Sequence, residues 1–239
     1  MRRFFCDNIT DRTAVLAGDD AHHIARVLRM RAGERLSVCD GSGNEFDAVI
    51  ASVSPEAVVC SLGGMRASNA ESSCRITLFQ CLPKAGKLEI IVQKCTELGV
   101  FAIVPTLSAR CVVAPEEKDF ERKRVRYQRV ALEAAKQSHR AIVPVVRPLE
   151  RLECVDPRMF DLFLIAYEEE NCSLKSALRA AGQPGTIGMC IGPEGGFERG
   201  EVARITARGG VSVSLGKRIL RAETAGMAML AQVLYEVET

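Results

Sequence analysis

The chain has 239 residues, 47% of them hydrophobic, and a formal net charge of +2. That is enough apolar material for one large domain or two smaller ones. No apolar run approaches the roughly 20 residues of a membrane-spanning helix, and Met1-Arg2-Arg3-Phe4-Phe5-Cys6-Asp7 has no stretch of signal-peptide length, so a cytoplasmic protein without membrane contact is expected.

The first seventy residues read as a small, mostly β unit with one helix. Asp19 or Asp20 can cap a helix running through His22 to Arg29, and Ala32-Gly33 ends it. Leu36 to Cys39 and Glu45 to Ile50 flank the turn signal Asp40-Gly41-Ser42-Gly43-Asn44, a hairpin pattern. Val58, Cys60 and Leu62 alternate as another strand, and the small, polar run 63–73 reads as a linker. From Cys74 onward strand and helix alternate. Strands are expected at Ile76–Leu82, Phe101–Val104, Leu162–Tyr167, Thr186–Ile191 and Val211–Leu215. Helices are expected at Gly86–Leu98, Phe120–Arg140, Ser173–Ala181, Glu198–Arg208 and Arg221–Val237. Near-continuous apolar strands interleaved with helices predict an α/β domain whose parallel sheet is covered on both faces.

Ten cysteines raise the question of zinc or disulfides. None has CxxC spacing, the histidines are only His22, His23 and His139, and most of the cysteines sit in apolar runs. Free thiols packed as small hydrophobes, and no metal, are expected. The segment 116–147 holds nine Lys/Arg against five Asp/Glu, a mildly basic stripe that fits either an RNA-facing helix or a solvated face.

In open α/β sheets ligands bind beyond the carboxyl ends of strands, which directs attention to the turns after Tyr167, Ile191 and Leu215. Ile191-Gly192-Pro193-Glu194-Gly195-Gly196-Phe197 is a bare-backbone turn that lets a flat ligand approach main-chain groups, though a plain tight turn looks the same. It lacks the spacing of dinucleotide and triphosphate loops. Leu215-Gly216-Lys217-Arg218-Ile219-Leu220-Arg221-Ala222-Glu223-Thr224-Ala225 packs three cations, a carboxylate and a hydroxyl around apolar residues. It reads as a nucleotide-like pocket or as a local ion pair at a helix start.

These two motifs in this order resemble the RsmE family of 16S ribosomal RNA uridine-N3 methyltransferases, in the SPOUT superfamily. The likeness extends through the chain: His23 with Val27-Leu28-Arg29, Gly33-Glu34, Asp40-Gly41, Lys84 with Lys87, Gln93 to Val100, Ser108 with Arg110, and Glu133 to Ser138 with Arg140 and Pro144. Lys136 stands where that family commonly has an acidic residue, and Lys217 where it often has proline.

The resemblance implies a PUA-like RNA-binding β-barrel over 1–70 and a SPOUT methyltransferase domain over 71–239, with a trefoil knot, working as a homodimer on 16S rRNA within the small ribosomal subunit. It implies S-adenosyl-L-methionine bound by Ala166 and Tyr167, by Ile191, Gly192, Gly195 and Gly196, and by Leu215, Gly216, Ile219 and Leu220. The small-residue face Ala225, Gly226, Ala228 and Ala231 suits either a dimer contact or ordinary core packing. Attack by uracil N3 needs a proton acceptor, for which Glu194 or Glu223 is the candidate, and a cation such as Arg221 for charge growing on the uracil oxygens. RNA contacts are expected from Arg3, Arg26 and Arg29, and from the long helix through Arg122, Arg126, Arg129, Lys136 and Arg140. The competing expectations are a related enzyme acting at another RNA position and a non-catalytic RNA-binding protein on the same fold.

Overall fold

The computed structural model describes residues 2–84 and 86–238. Two compact units form: one from the N-terminal residues through Glu71 together with Ala135–Val143, the other from Ser72–Ala134 with everything from Pro144 on.

The first unit is built on a five-stranded sheet. Its strands are β1 (Arg3–Phe5), β2 (Thr13–Ala17), β3 (Arg35–Cys39), β4 (Asn44–Val53) and β5 (Ala57–Ala67), in the order β1-β3-β4-β5-β2. β1 pairs parallel to β3 and the other pairs are antiparallel. Asp40 makes the β3–β4 turn: its carboxylate accepts from the Ser42 and Asn44 N–H groups at 2.8 and 3.2 Å, and from the Ser42 hydroxyl and Asn44 amide at 2.7 Å each. Leu16, Ile24, Leu36, Val38, Ile50, Val58 and Cys60 form its core. The unit closes on the returning segment. Glu71 accepts from the Arg140 guanidinium at 2.7 and 3.2 Å and from the Ala141 and Ile142 N–H groups at 2.8 and 3.0 Å.

Three expectations change here. β1 and β2 had no sequence-based counterpart. The run 63–73 is not all linker, because β5 continues to Ala67. Phe46 pairs with Met65, Glu45 with Arg66 and Asn44 with Ala67, past an irregularity between Phe46 and Ala48 that admits Gly63 over the Asp47 carbonyl. The first helix, α1 (Gly18–His22), carries Asp19 and Asp20 in its first turn rather than as a cap. It then widens into a π-helical turn over His23–Val27, and Arg29 takes a left-handed φ of 51°.

The second unit is a parallel sheet of β6 (Arg75–Cys81), β7 (Ala102–Leu107), β8 (Val145–Val146), β10 (Leu162–Ala166), β11 (Thr186–Ile191) and β12 (Val211–Val213), in the order β12-β10-β11-β6-β7-β8. The short β9 (Glu150–Arg151) also pairs with β7. Its helices are α2 (Lys87–Leu98), α3 (Glu117–Gln137, whose last residues enter the first unit), α4 (Leu174–Ala181), α5 (Arg199–Ala207) and α6 (Ala222–Val237). β10 and β11 are buried along almost their whole length, which is why they read as unbroken apolar runs. Phe79, Phe163, Ile165, Cys190 and Phe197 pack into one cluster beneath α5 residues Val202 and Ile205. No helix among the described residues is long and apolar enough to cross a membrane.

Candidate active site

Order in the sheet places the candidate site. β10 lies between β12 and β11, with Ala166 opposite Val213 and Ile165 opposite Cys190. The turns leaving Ala166, Ile191 and Val213 therefore start from one sheet edge on three adjoining strands, within two strand spacings or roughly 10 Å. Main-chain bonds lace the first and third turns together. The Tyr167 N–H donates to the Val213 carbonyl (2.9 Å), the Ser214 N–H to that of Cys172 (2.8 Å), and the Leu174 N–H to that of Ser214 (3.3 Å).

The second turn is tightly held. Gly196 closes it by donating to the Pro193 carbonyl at 2.9 Å, with φ +67°. Arg110 donates to the Gly195 carbonyl at 3.0 Å, and the next turn inward is fixed by Glu201, only 4% exposed. Its carboxylate accepts from the Ala109 N–H (2.8 Å) and the Glu198 N–H (2.9 Å). In the third turn Gly216 takes φ +116°, its N–H donates to the Ser214 hydroxyl at 3.3 Å, and nothing stands within 4 Å of where a Cβ would project. Buried Ile191 and half-buried Leu215 and Leu220 give the edge its apolar character, whereas Ile219 is 83% exposed.

A charged cluster joins the second turn to α6. Lys87, the first residue of α2, reaches Glu223 at 3.1 and 3.2 Å and lies 3.7 Å from Glu194, which also accepts from the Lys84 N–H at 3.0 Å. Burial pushes the Glu194 carboxyl up, but its own N–H, the Lys84 N–H and the Lys87 ammonium together hold it below the usual carboxylate range. Glu223 is held down by its own N–H, against burial, with Lys87 and Arg221 adding to the effect. Arg221 stands exposed just ahead of α6. Lys87 is the linking residue that reasoning by type did not single out. Lys84 and Lys87 stand at the start of α2 and belong to the family resemblance, but nothing in the sequence connects them to carboxylates more than a hundred residues away.

The expected RNA contacts divide. Arg26 and Arg29 are exposed in the first unit, at the π turn and the left-handed residue after it. Arg126 and Arg129 are exposed on α3, and Arg126 pairs with Glu89. Arg3 and Arg140 are placed differently. The Arg3 side chain, 12% exposed, is bonded to Glu45 at 2.9 Å, and that of Arg140, 3% exposed, is paired with Glu71, so both are engaged within the fold. Lys136 is ion-paired to Asp20 at 2.8 Å, which accounts for a cation at this position. Ala225 and Gly226 are buried within the chain, Gly226 against Gln80, Leu78 and Ile191, while Ala231 is exposed. No group of His, Cys, Asp and Glu suited to a metal ion occurs among the described residues.

Comparison with known proteins bears on this geometry. A model described as an RNA methyltransferase domain matches residues 70–234, and one described as an RNA methyltransferase PUA domain matches residues 16–62. The ribosomal RNA small subunit methyltransferase E of Bacillus subtilis is 35% identical, covering 100% of this chain and 98% of its own length. That of Synechocystis is 34% identical over 95% of this chain and 74% of its own. The ribosomal RNA small subunit methyltransferase E of Neisseria gonorrhoeae, solved bound to S-adenosyl methionine, superimposes with a TM-score of 0.84 at 31% identity, covering 97% and 96% of the two chains.

Proposed function

The chain belongs to the ribosomal RNA small subunit methyltransferase E family, and we propose that it transfers the methyl group of S-adenosylmethionine to N3 of a single uridine in small-subunit ribosomal RNA. The donor and the class of RNA are those of full-length relatives. The observation that carries the reading on this chain is the convergence of the three turns on one sheet edge, next to the cluster of Lys87, Glu194 and Glu223. An adenine-bearing donor suits that edge: main-chain groups of Gly192, Gly195 and Gly216 offer hydrogen bonds, Ala166, Tyr167, Ile191, Leu215 and Leu220 offer apolar contact, and the space beside Gly216 is open. When bound, the donor supplies the electrophilic methyl group. Ile219 and Gly196 complete the proposed contacts.

The residues of this chain then have two tasks. One is alignment of the uracil nitrogen with the methyl group, which is catalysis by positioning. The other is charge. As the N3 proton leaves, negative charge spreads over the uracil oxygens, and Arg221 is the cation proposed to face it. Glu223, two residues on, or Glu194 takes the proton. Both carboxyls are held below the usual range, by main-chain N–H groups first and the Lys87 ammonium after them, so both are ionised at neutral pH, though a carboxyl held below its usual range pulls less strongly on a proton.

RNA is proposed to meet Arg26, Arg29, Arg126 and Arg129, whose phosphate contacts position rather than read sequence. The chain is proposed to be threaded as a trefoil knot at the three turns, and to act in the cytoplasm as a homodimer. For the dimer, the support is a stripe on α6 of Thr224, Ala228, Ala231 and Tyr235, exposed except for half-buried Ala228, at spacings that share one helix face, with three smaller side chains and an exposed aromatic ring turned to a partner helix. Ala231→Arg is expected to give a monomer in sedimentation. A dimer that survives it uses another face.

The reaction is tested by incubating the protein and labelled donor with small subunits from cells that lack it, followed by mass spectrometry of the RNA. One methyl group on uracil N3 is expected. A methyl group elsewhere refutes the choice of nitrogen, and none refutes the catalytic reading.

A further inference from the structure

Three consecutive acids follow Tyr167 in the first turn, and the fold uses them differently. Tyr167 to Glu170 is a tight turn, with the Glu170 N–H donating to the Tyr167 carbonyl at 3.2 Å. Glu170 folds back on the Asn171 and Cys172 N–H groups at 2.8 and 3.1 Å. Glu169 is paired with Arg199 at 2.9 Å. Glu168 has neither kind of tie among the described residues. Its carboxylate lies instead on the second turn: Oε1 is 2.5 Å from where a Cβ on Gly196 would be, and Cδ and Oε2 are 3.3 Å away. Glu168 is exposed, so its flexible carboxylate rests against the bare backbone of Gly196, whose φ of +67° favours glycine there in any case.

We propose that Glu168 is a binding residue for the cationic end of the methyl donor, and that it takes the α-ammonium group rather than the sulfonium. This rests on the reading of the three turns as the S-adenosylmethionine site. Glu168 leaves an accessible negative charge at the junction of two of those turns, open to a cationic ligand, and the donor carries two cations. Charge development chooses between them. Methyl transfer discharges the sulfonium, so a carboxylate set against it stabilises the reactant more than the transition state and slows the step. The ammonium keeps its charge throughout, so a carboxylate there holds the donor equally at every stage and gives affinity without opposing transfer.

Three ligands separate the possibilities in a calorimetric titration of the full chain. S-adenosylmethionine has both cations, S-adenosylhomocysteine only the ammonium, and 5′-methylthioadenosine neither. Glu168→Gln is expected to weaken the first two by the same factor, about tenfold, and to leave the third within twofold. Glu169→Gln removes a like charge one residue away and is expected to change none of them by more than about twofold, since that carboxylate is engaged by Arg199. A loss confined to S-adenosylmethionine assigns Glu168 to the sulfonium and overturns the proposal, as does an equal loss for all three ligands or no loss. If the unaltered protein binds none of them, the reading of the site falls and the proposal with it. If it binds them and Glu168→Gln is silent, only the role of Glu168 falls.

Discussion

Arg221 stands exposed one residue ahead of α6, and Glu223 two positions on is turned towards Lys87. A guanidinium in that position adds little to folding, and the role proposed for it is to face charge that grows during the reaction. Arg221→Ala is accordingly expected to lower turnover about 100-fold while changing donor affinity by less than about threefold, as when an oxyanion-stabilising donor is lost. Equal losses in turnover and calorimetric affinity would place Arg221 in donor binding instead. Lys87 is tested differently. Its ammonium is one of the groups that hold Glu194 and Glu223 below the usual range, so Lys87→Met raises both carboxyls. If an ionised carboxylate is needed, the acid limb of the rate profile moves to higher pH, and an unmoved limb removes both carboxylates from the rate. Arg221, Glu194 and Glu223 stand out in the chain as candidates, but the pairing of the two carboxylates with Lys87 does not. Glu194 and Glu223 looked like free candidates for a base because the sequence separation from Lys87 hides a contact of about one hydrogen-bond length.

Among the elements, legibility followed burial. Thr186–Ile191 was delimited correctly because a strand covered on both faces is apolar at every position. β5 runs past its predicted end because Gly63-Gly64 are turn residues by type, and only the partner strand shows that an irregularity in the pairing absorbs them. The basic stripe fared similarly: period alone put Arg126, Arg129, Lys136 and Arg140 on one face, but Lys136 near the end of α3 pairs with Asp20, and Arg140, past the end of that helix, pairs with Glu71. Salt dependence separates the two kinds of arginine. Arg26→Ala and Arg29→Ala are each expected to reduce the slope of RNA affinity against salt by about 1, with folding unchanged. Arg140→Ala is expected to leave that slope alone and to cost about 3 kcal/mol of stability, because the largely buried Glu71 carboxylate loses its cation and keeps only two main-chain N–H groups. A lowered slope with normal stability for Arg140→Ala would restore it to the RNA face.

For the molecule as a whole, both units contain carboxylates held below their usual range: Asp40 and Glu45 in the first, Glu194 and Glu223 in the second. In each case burial acts upward or is outweighed, and hydrogen bonds and neighbouring cations prevail. A folded-state pKa below the unfolded one contributes stability that is complete above the ordinary carboxylate pKa of about 4 and is lost as pH falls through the folded value. The melting temperature is therefore expected to fall between about pH 5 and pH 3 in scanning calorimetry. A melting temperature flat across that interval would mean that these bonds are matched in the unfolded chain. The strand order β12-β10-β11-β6-β7-β8, which brings the three turns together, belongs to this scale as well, and no local pattern in the chain announces it.

The return of Ala135–Val143 to the first unit has a consequence for how such a protein can be taken apart or recombined. A fragment ending at residue 71 would carry Glu71 without the guanidinium and the two amides that satisfy it. The first unit is thus not a cassette: a gene fusion that transplants only its contiguous stretch moves an incomplete module, and a transplant that works must bring the distant nine-residue piece along or supply it as a separate peptide.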